Sequence, residues 1–131
     1  MHSPSPERLN LLVGWLGITI GFVSGLLMGM RFEQETWLGG YSSFKRRLYR
    51  LGHVSFFGLG ILNLLFYFTA HSAPMYHAGA WLASVCFVIG AASMPLCCLI
   101  VAHRPTLKLL FAVPVASLVV AGLTTLVAIV R

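Results

Sequence analysis

The chain has 131 residues, of which 58% are hydrophobic and 9% charged, with a mean hydropathy of +0.87. A soluble domain carries about 25% charged residues, and one this small has too much surface for its volume to hide so much apolar side chain. Composition excludes a soluble enzyme, a disordered chain and a disulfide scaffold, and leaves a small integral membrane protein.

About 20 apolar residues are needed for a helix to cross a bilayer core of about 30 Å. Four segments qualify. The first covers residues 11–30 without a charge. The sequence before it, MHSPSPERLN, holds one Arg against one Glu, so the segment reads as a retained signal anchor rather than a cleaved signal peptide. Residues 31–50 form a basic loop, in which Ser42 or Ser43 can cap an amphipathic start to the second helix at Phe44, Leu48 and Leu51. The second span covers residues 51–70, broken by His53 and Asn63. The third covers 78–102 and the fourth 109–130. Backbone groups in lipid must bond internally, so each span is predicted to be a helix. A barrel is excluded because these runs do not alternate polar with apolar. The expected fold is all-α: one integral membrane four-helix bundle over residues 1–131.

Lys and Arg set the expected orientation. Arg31, Lys45, Arg46, Arg47, Arg50, Arg104 and Lys108 fall on one side, and Arg8 and Arg131 on the other. Both termini are therefore expected outside, with the 31–50 loop in the cytoplasm. With no organellar targeting segment visible, a bacterial inner membrane is the expected location. The net charge of +6 lies beside the spans and not on a separate domain, so nucleic acid is not an expected partner. Lys45, Arg46, Arg47 and Arg50 are expected to touch anionic lipid headgroups, or to act only as snorkelling topology anchors.

Gly17, Gly21, Gly25 and Gly29 recur every fourth residue in the first span, with Gly14 beside them. Such a ridge lets another backbone approach closely, in the same chain or in another copy. Pro95 and Pro114 can kink the third and fourth helices. Trp37, Tyr41, Tyr49, Tyr67, Tyr76 and Trp81 suit interfacial belts.

The acids are Glu7, Glu33 and Glu35, and none lies in a span. Ion-coupled pumps and transporters use an intramembrane ionisable group, so proton-coupled export is not expected. Histidines remain. His53 shares a helix face with Gly60, Asn63 and Tyr67, at offsets of 7, 10 and 14 residues, and a polar face should turn into the bundle. His103, at the end of the third span, should sit at a similar depth. An imidazole there can ligate haem iron or hydrogen-bond a quinone carbonyl. The bland reading makes such histidines solvated interfacial residues and Asn63 an interhelical hydrogen bond. His71, Met75 and His77, or Cys86, Met94, Cys97 and Cys98, could hold copper. They form no CxxC motif, and membrane Cys and Met are ordinary packing residues.

The block GHVSFFGLGILNLLF, residues 52–66, resembles the histidine-bearing helices of small haem-copper-oxidase-like bacterial membrane proteins. The resemblance covers one helix and implies a haem- or quinone-adjacent small subunit, with His53 as the matching residue. The paired histidines of oxidase catalytic subunits are missing, so it does not imply an oxidase. The expected function is an accessory, anchor or assembly subunit of a membrane respiratory complex, not an enzyme by itself. In that role His53, His103 and Asn63 would face a b-type haem or a quinone, and other membrane subunits or a second copy would be partners. The alternatives are a cofactor-free interaction protein packing through the glycine ridge, and a passive channel or permease lined by Asn63, Ser55 and threonines.

Overall fold

A computed structural model describes residues 6–72, 75 and 77–130, with the side chains of Pro6, Glu7 and His77 left aside. Tyr76, Arg131 and the His77 side chain, all named above, lie outside the described residues. Among the described residues, the chain is four helices and no strand: α1 (Pro6–Gly29), α2 (Phe44–Ser72), α3 (His77–His103) and α4 (Ala112–Val130). A 3-10 turn at Trp37–Gly39 precedes α2, and 3-10 turns at Pro105–Phe111 lead into α4. Four helical segments are long and apolar enough to cross a membrane, which fits an integral membrane protein.

Hydropathy places the spans, but the helices outrun them. α1 starts at Pro6, five residues before the apolar run, where a proline costs nothing because a first-turn N–H has no helical partner. α2 starts at Phe44, at the amphipathic start expected before the span, because Ser43 caps it: the Ser43 hydroxyl accepts the Arg46 N–H at 3.1 Å and donates to Leu38 O at 2.7 Å. Its 29 residues extend about 43 Å at 1.5 Å per residue, so the basic first two turns are surplus to a 30 Å crossing. α4 proper starts at Ala112. Pro114 therefore sits in a first turn rather than mid-helix, where its missing donor breaks nothing.

The glycine ridge of α1 meets α2 of the same chain, antiparallel. A Cβ at Gly17 would lie 3.0 Å from Phe56 O, one at Gly21 2.8 Å from the Phe57 ring, and one at Gly25 2.9 Å from His53 Cε1. Gly60 of α2 replies in kind, since its Cβ would fall 2.9 Å from Gly14 O. Gly29, the last of the series, has nothing within 4 Å. α2 packs next on α3, with Gly52 against Cys98, and α3 also reaches α1. α4 lies against α3, with Leu118 over Gly90.

Two apolar clusters hold these contacts. Phe66, Ala83, Phe87 and Ala121 form one, with Met75, Cys86 and Leu118 around it. Leu48, Val101 and Ala102 form the other at the basic end, with Tyr49 and Phe111. Outward faces stay apolar, as at Leu12, Phe22, Leu109 and Leu126.

The α1–α2 contact is backbone against backbone at Gly60, so a methyl there forces whole helices apart. Gly60→Ala should cost about 1–3 kcal/mol, the usual range for overpacking. Gly58→Ala, where nothing lies within 4 Å, should gain about 0.5–1 kcal/mol by helix propensity. Unfolding the two variants side by side in mild detergent checks this; equal stability would show that close approach does not hold α1 to α2.

Candidate functional site

Where the glycine ridge ends, space opens. A cavity of about 240 Å³ lies between α1, α2 and α3 at the basic end, under the 31–43 segment. Ser24, Trp37, Tyr49, His53, Phe56 and Pro95 contribute to its lining. It is smaller than most drug-sized pockets, which span about 300–1,000 Å³, and its walls are almost wholly apolar and aromatic.

His53 is the polar group of this cavity with an unassigned ring nitrogen. Its Nδ1 lies 2.9 Å from the Ser24 hydroxyl, which can also donate to Gly21 O at 3.0 Å. The hydroxyl has one proton, so two arrangements are available. Ser24 donates to Gly21 O and accepts from Nδ1–H, leaving a bare Nε2. Otherwise Ser24 donates to Nδ1 and Nε2 carries the proton. The first offers a ligand lone pair and the second a hydrogen-bond donor. The ring is held edge-on to Phe57, with centroids 5.4 Å apart, and it occupies the place a Cβ at Gly25 would need.

His103 does not join His53. It is exposed at the end of α3, and its Nε2 lies 2.9 Å from the Tyr49 hydroxyl. Tyr49 is one helical turn before His53 and stacks edge-on with Trp37, so each histidine has its own hydroxyl partner. With His103 Nε2 engaged and a cavity of this size, the residues do not fit a b-type haem clamped between the two.

Asn63 is placed away from the cavity, in a polar knot toward the other end of the bundle. Asn10 Nδ2 donates to Asn63 Oδ1 at 2.8 Å and to Ser84 O at 3.3 Å. Asn63 Nδ2 donates to Leu59 O at 2.8 Å and Phe87 O at 3.4 Å, and the Ser84 hydroxyl donates to Asn10 Oδ1. All three residues are 0% exposed. The knot joins α1, α2 and α3 and leaves Asn63 no surface on which to meet a cofactor or line a pore.

Arg46 also departs from its expected place. Lys45 and Arg50 are half-buried and Arg47 exposed, but Arg46 is only 1% exposed and cannot present its charge to headgroups. Its guanidinium carbon lies 4.6 Å from the Tyr41 ring centroid, 5.3 Å from that of Trp37 and 5.4 Å from that of Phe32. Nη2 donates to Phe32 O at 3.1 Å, and Nη1 has no hydrogen-bond partner. Arg50 adds a second cation over Tyr41 and donates to its carbonyl. These contacts fold the 31–43 segment down, although Leu38 sits there in the left-handed region at φ 54°. They also set Trp37 in the cavity wall.

Among the described residues, which leave out the His77 side chain, neither copper set gathers. His71 bonds Tyr67 O and lies against the Tyr67 ring, while Met75 packs on the Phe66 cluster. Cys97 faces Leu110 O, Cys98 meets Gly52, and Cys86 borders the Phe66 cluster. Among the described residues, no three side chains of His, Cys, Asp or Glu gather as a metal site.

Ser24, Trp37, Tyr49 and Asn10 were not singled out as partners by the sequence reading. Ser24 had a signal, being a hydroxyl one residue from Gly25 on a ridged helix. Trp37 had none, because an interfacial belt explains its position equally well. Comparisons of the chain with protein-family models, characterised proteins and solved structures find no match, so the functional reading rests on geometry.

Two variants separate what holds the fold from what shapes the cavity. Asn63→Leu should destabilise by about 1–3 kcal/mol, because it removes the nearest acceptor of the buried Asn10 amide and leaves that N–H unsatisfied, without altering Trp37 emission. Arg46→Ala should leave the helices in place, red-shift Trp37 emission and speed amide exchange across residues 32–41. Its cation–ring contacts are worth about 0.5–2 kcal/mol each. Stability curves and Trp37 fluorescence on both variants, in a Trp15→Phe/Trp81→Phe background, check the pair; a Trp37 shift in Asn63→Leu alone would reverse the assignment.

Proposed function

We propose that this chain is an integral membrane four-helix protein, an accessory or anchor subunit of a membrane respiratory complex, that seats the head ring of a quinone at His53. The supporting observation is the cavity itself: one ring-sized space, apolar and aromatic on its walls, with an imidazole backed by a serine hydroxyl. A quinone ring asks for flat apolar contact and a donor aimed at a carbonyl oxygen. In the arrangement where Ser24 donates to Nδ1, His53 Nε2–H is that donor, and Trp37, Tyr49 and Phe56 supply the walls. The Ser24–Nδ1 distance of 2.9 Å is compatible with that tautomer.

The excess of Lys and Arg supports a cytoplasmic cavity end with both termini outside, and the membrane proposed is a bacterial inner membrane. The apolar outer faces of α1 and α4 are then available to lipid and to partner subunits. The glycine ridge is a less suitable partner surface, because α2 already covers Gly14, Gly17, Gly21 and Gly25. A channel through Asn63 is disfavoured by the closed knot around it. These arguments leave His53 as the residue on which the reading depends.

The test uses a fully substituted benzoquinone without a long tail, which does not add to thiols, titrated against the single-Trp37 protein in detergent. Saturable quenching is expected, weakened about fivefold to tenfold by His53→Ala or Ser24→Ala, the range for one hydrogen bond, and unchanged by His71→Ala. Quenching that never saturates, or that ignores His53, would remove the quinone site. A reduced-minus-oxidised visible spectrum of protein expressed with haem should show no b-type signal dependent on His53.

A further inference from the structure

A second cavity, about 230 Å³, lies deeper along the bundle between α1 and α3, over one face of α2. Small residues make it: Gly17 on α1, Gly60 on α2, and Ala91 and Ala92 on α3. It shares Phe56 and Pro95 with the His53 cavity. The two spaces therefore abut end to end, one at the basic end with a histidine and a serine, the other in the apolar middle with no polar side chain in its lining.

That sequence of surfaces, a hydrogen-bonding ring site followed by a plain apolar slot, has the polarity of an amphiphile with a head ring and a hydrocarbon tail. We infer that the slot of Gly17, Gly60, Ala91 and Ala92 receives the first part of the tail of the ligand whose ring lies at His53, making the ligand a tailed, membrane-resident quinone rather than a free aromatic ring. The inference rests on the quinone reading above. Two observations carry it beyond that reading. The slot borders the ring cavity, with Phe56 and Pro95 lining both, and Gly17, Gly60, Ala91 and Ala92 leave it open between α1 and α3. Leu16 and Ile20, exposed on α1 beside it, leave a side through which a longer chain can run out among lipid tails.

Because lipid tails are as apolar as the slot, transfer from lipid gives the tail little hydrophobic gain; its binding comes from packing and from being tied to a seated ring. The test compares the same substituted benzoquinone with and without a decyl tail, read by Trp37 quenching in detergent. Three proteins are titrated: the parent, Ala91→Phe, which fills the slot, and Leu123→Phe on the exposed face of α4 as a control for tail partitioning. In the parent the tail should improve affinity about tenfold, equal to about 1.4 kcal/mol. Ala91→Phe should abolish that gain while binding the tail-less ring as before, and Leu123→Phe should keep it. An equal gain from the tail in all three proteins would put the tail outside the protein and overturn the inference while the ring site stands. Saturation by neither compound would remove the ring site and the slot's role with it. Should Ala91→Phe fail to fold, a diazirine on the fifth tail carbon decides. Crosslinks to Val13, Leu59 or Val88, cavity-lining residues that are not exposed, support the slot, and crosslinks confined to exposed positions such as Leu123 and Val127 overturn it.

Discussion

The contact between the α1 glycines and α2 governs where everything else can be. Gly14, Gly17, Gly21 and Gly25 accept Leu64, Gly60, Phe57 and His53 in antiparallel order, so each step down α1 is matched by a step up α2. Without Cβ atoms the two backbones come close enough for Gly60 to face Gly14 O, which side chains of any size would prevent. The pairing also fixes a side-chain position: the His53 imidazole fills volume that any residue other than glycine at 25 would occupy. Ser24, adjacent in sequence and on the same end of α1, is thereby brought to hydrogen-bonding distance. The pairing stops at that point. Gly29 touches nothing, and the cavity occupies the region where the helices no longer interlock.

The two ends of the bundle treat polarity in opposite ways. Toward the end away from the basic segment, Asn10, Asn63 and Ser84 satisfy one another across three helices, with every donor of Asn63 directed at an oxygen. An unpaired amide at such depth would cost more than the bond returns, so the three residues act as a set. At the basic end the polar groups are paired two by two, Ser24 with His53 and Tyr49 with His103, and space is left between them. The first arrangement ties helices together, and the second leaves His53 bonded through Nδ1 at the edge of a cavity. This difference, and not the residue types, separates Asn63 from His53, since an asparagine and a histidine on one apolar helix look equally functional from their spacing alone.

Helix number and order were legible because uninterrupted apolar runs leave a backbone in lipid no alternative. The glycine ridge was legible as a packing device, and its partner was among those considered. The amphipathic start of α2 at Phe44 and its serine cap were legible too, whereas α1 begins five residues before its apolar run, since hydropathy registers side-chain transfer while a helix tolerates polar residues beyond the span. The one-face argument correctly turned Asn63 inward but could not assign its partners, because Asn10 lies 53 residues away in sequence and on the polar side of a span boundary. His53 and His103 were expected at one depth from the antiparallel hairpin. What a hairpin cannot show is the axial register: Gly52 lies against Cys98, so His103 falls beyond the level of His53 and meets Tyr49, one turn earlier on α2.

Arg46 shows how the fold sets the cavity roof. A cation in the first turn of a helix opposes the helix dipole, and a buried guanidinium with an unbonded Nη1 is costlier still. Neither helix propensity nor a salt bridge explains its position. What offsets the cost is the electron-rich faces of Phe32, Trp37 and Tyr41, each within 5.4 Å of the guanidinium carbon, together with the Phe32 carbonyl. All four contacts come from the segment that links α1 to α2, so the charge acts as the core around which that segment folds. Trp37 is held by the same cation and forms part of the wall beside Tyr49 and His53. The basic cluster thus has two separable uses: Arg47, exposed, contributes charge at the surface, while Arg46, enclosed, fixes the aromatic wall against which a ring at His53 would lie.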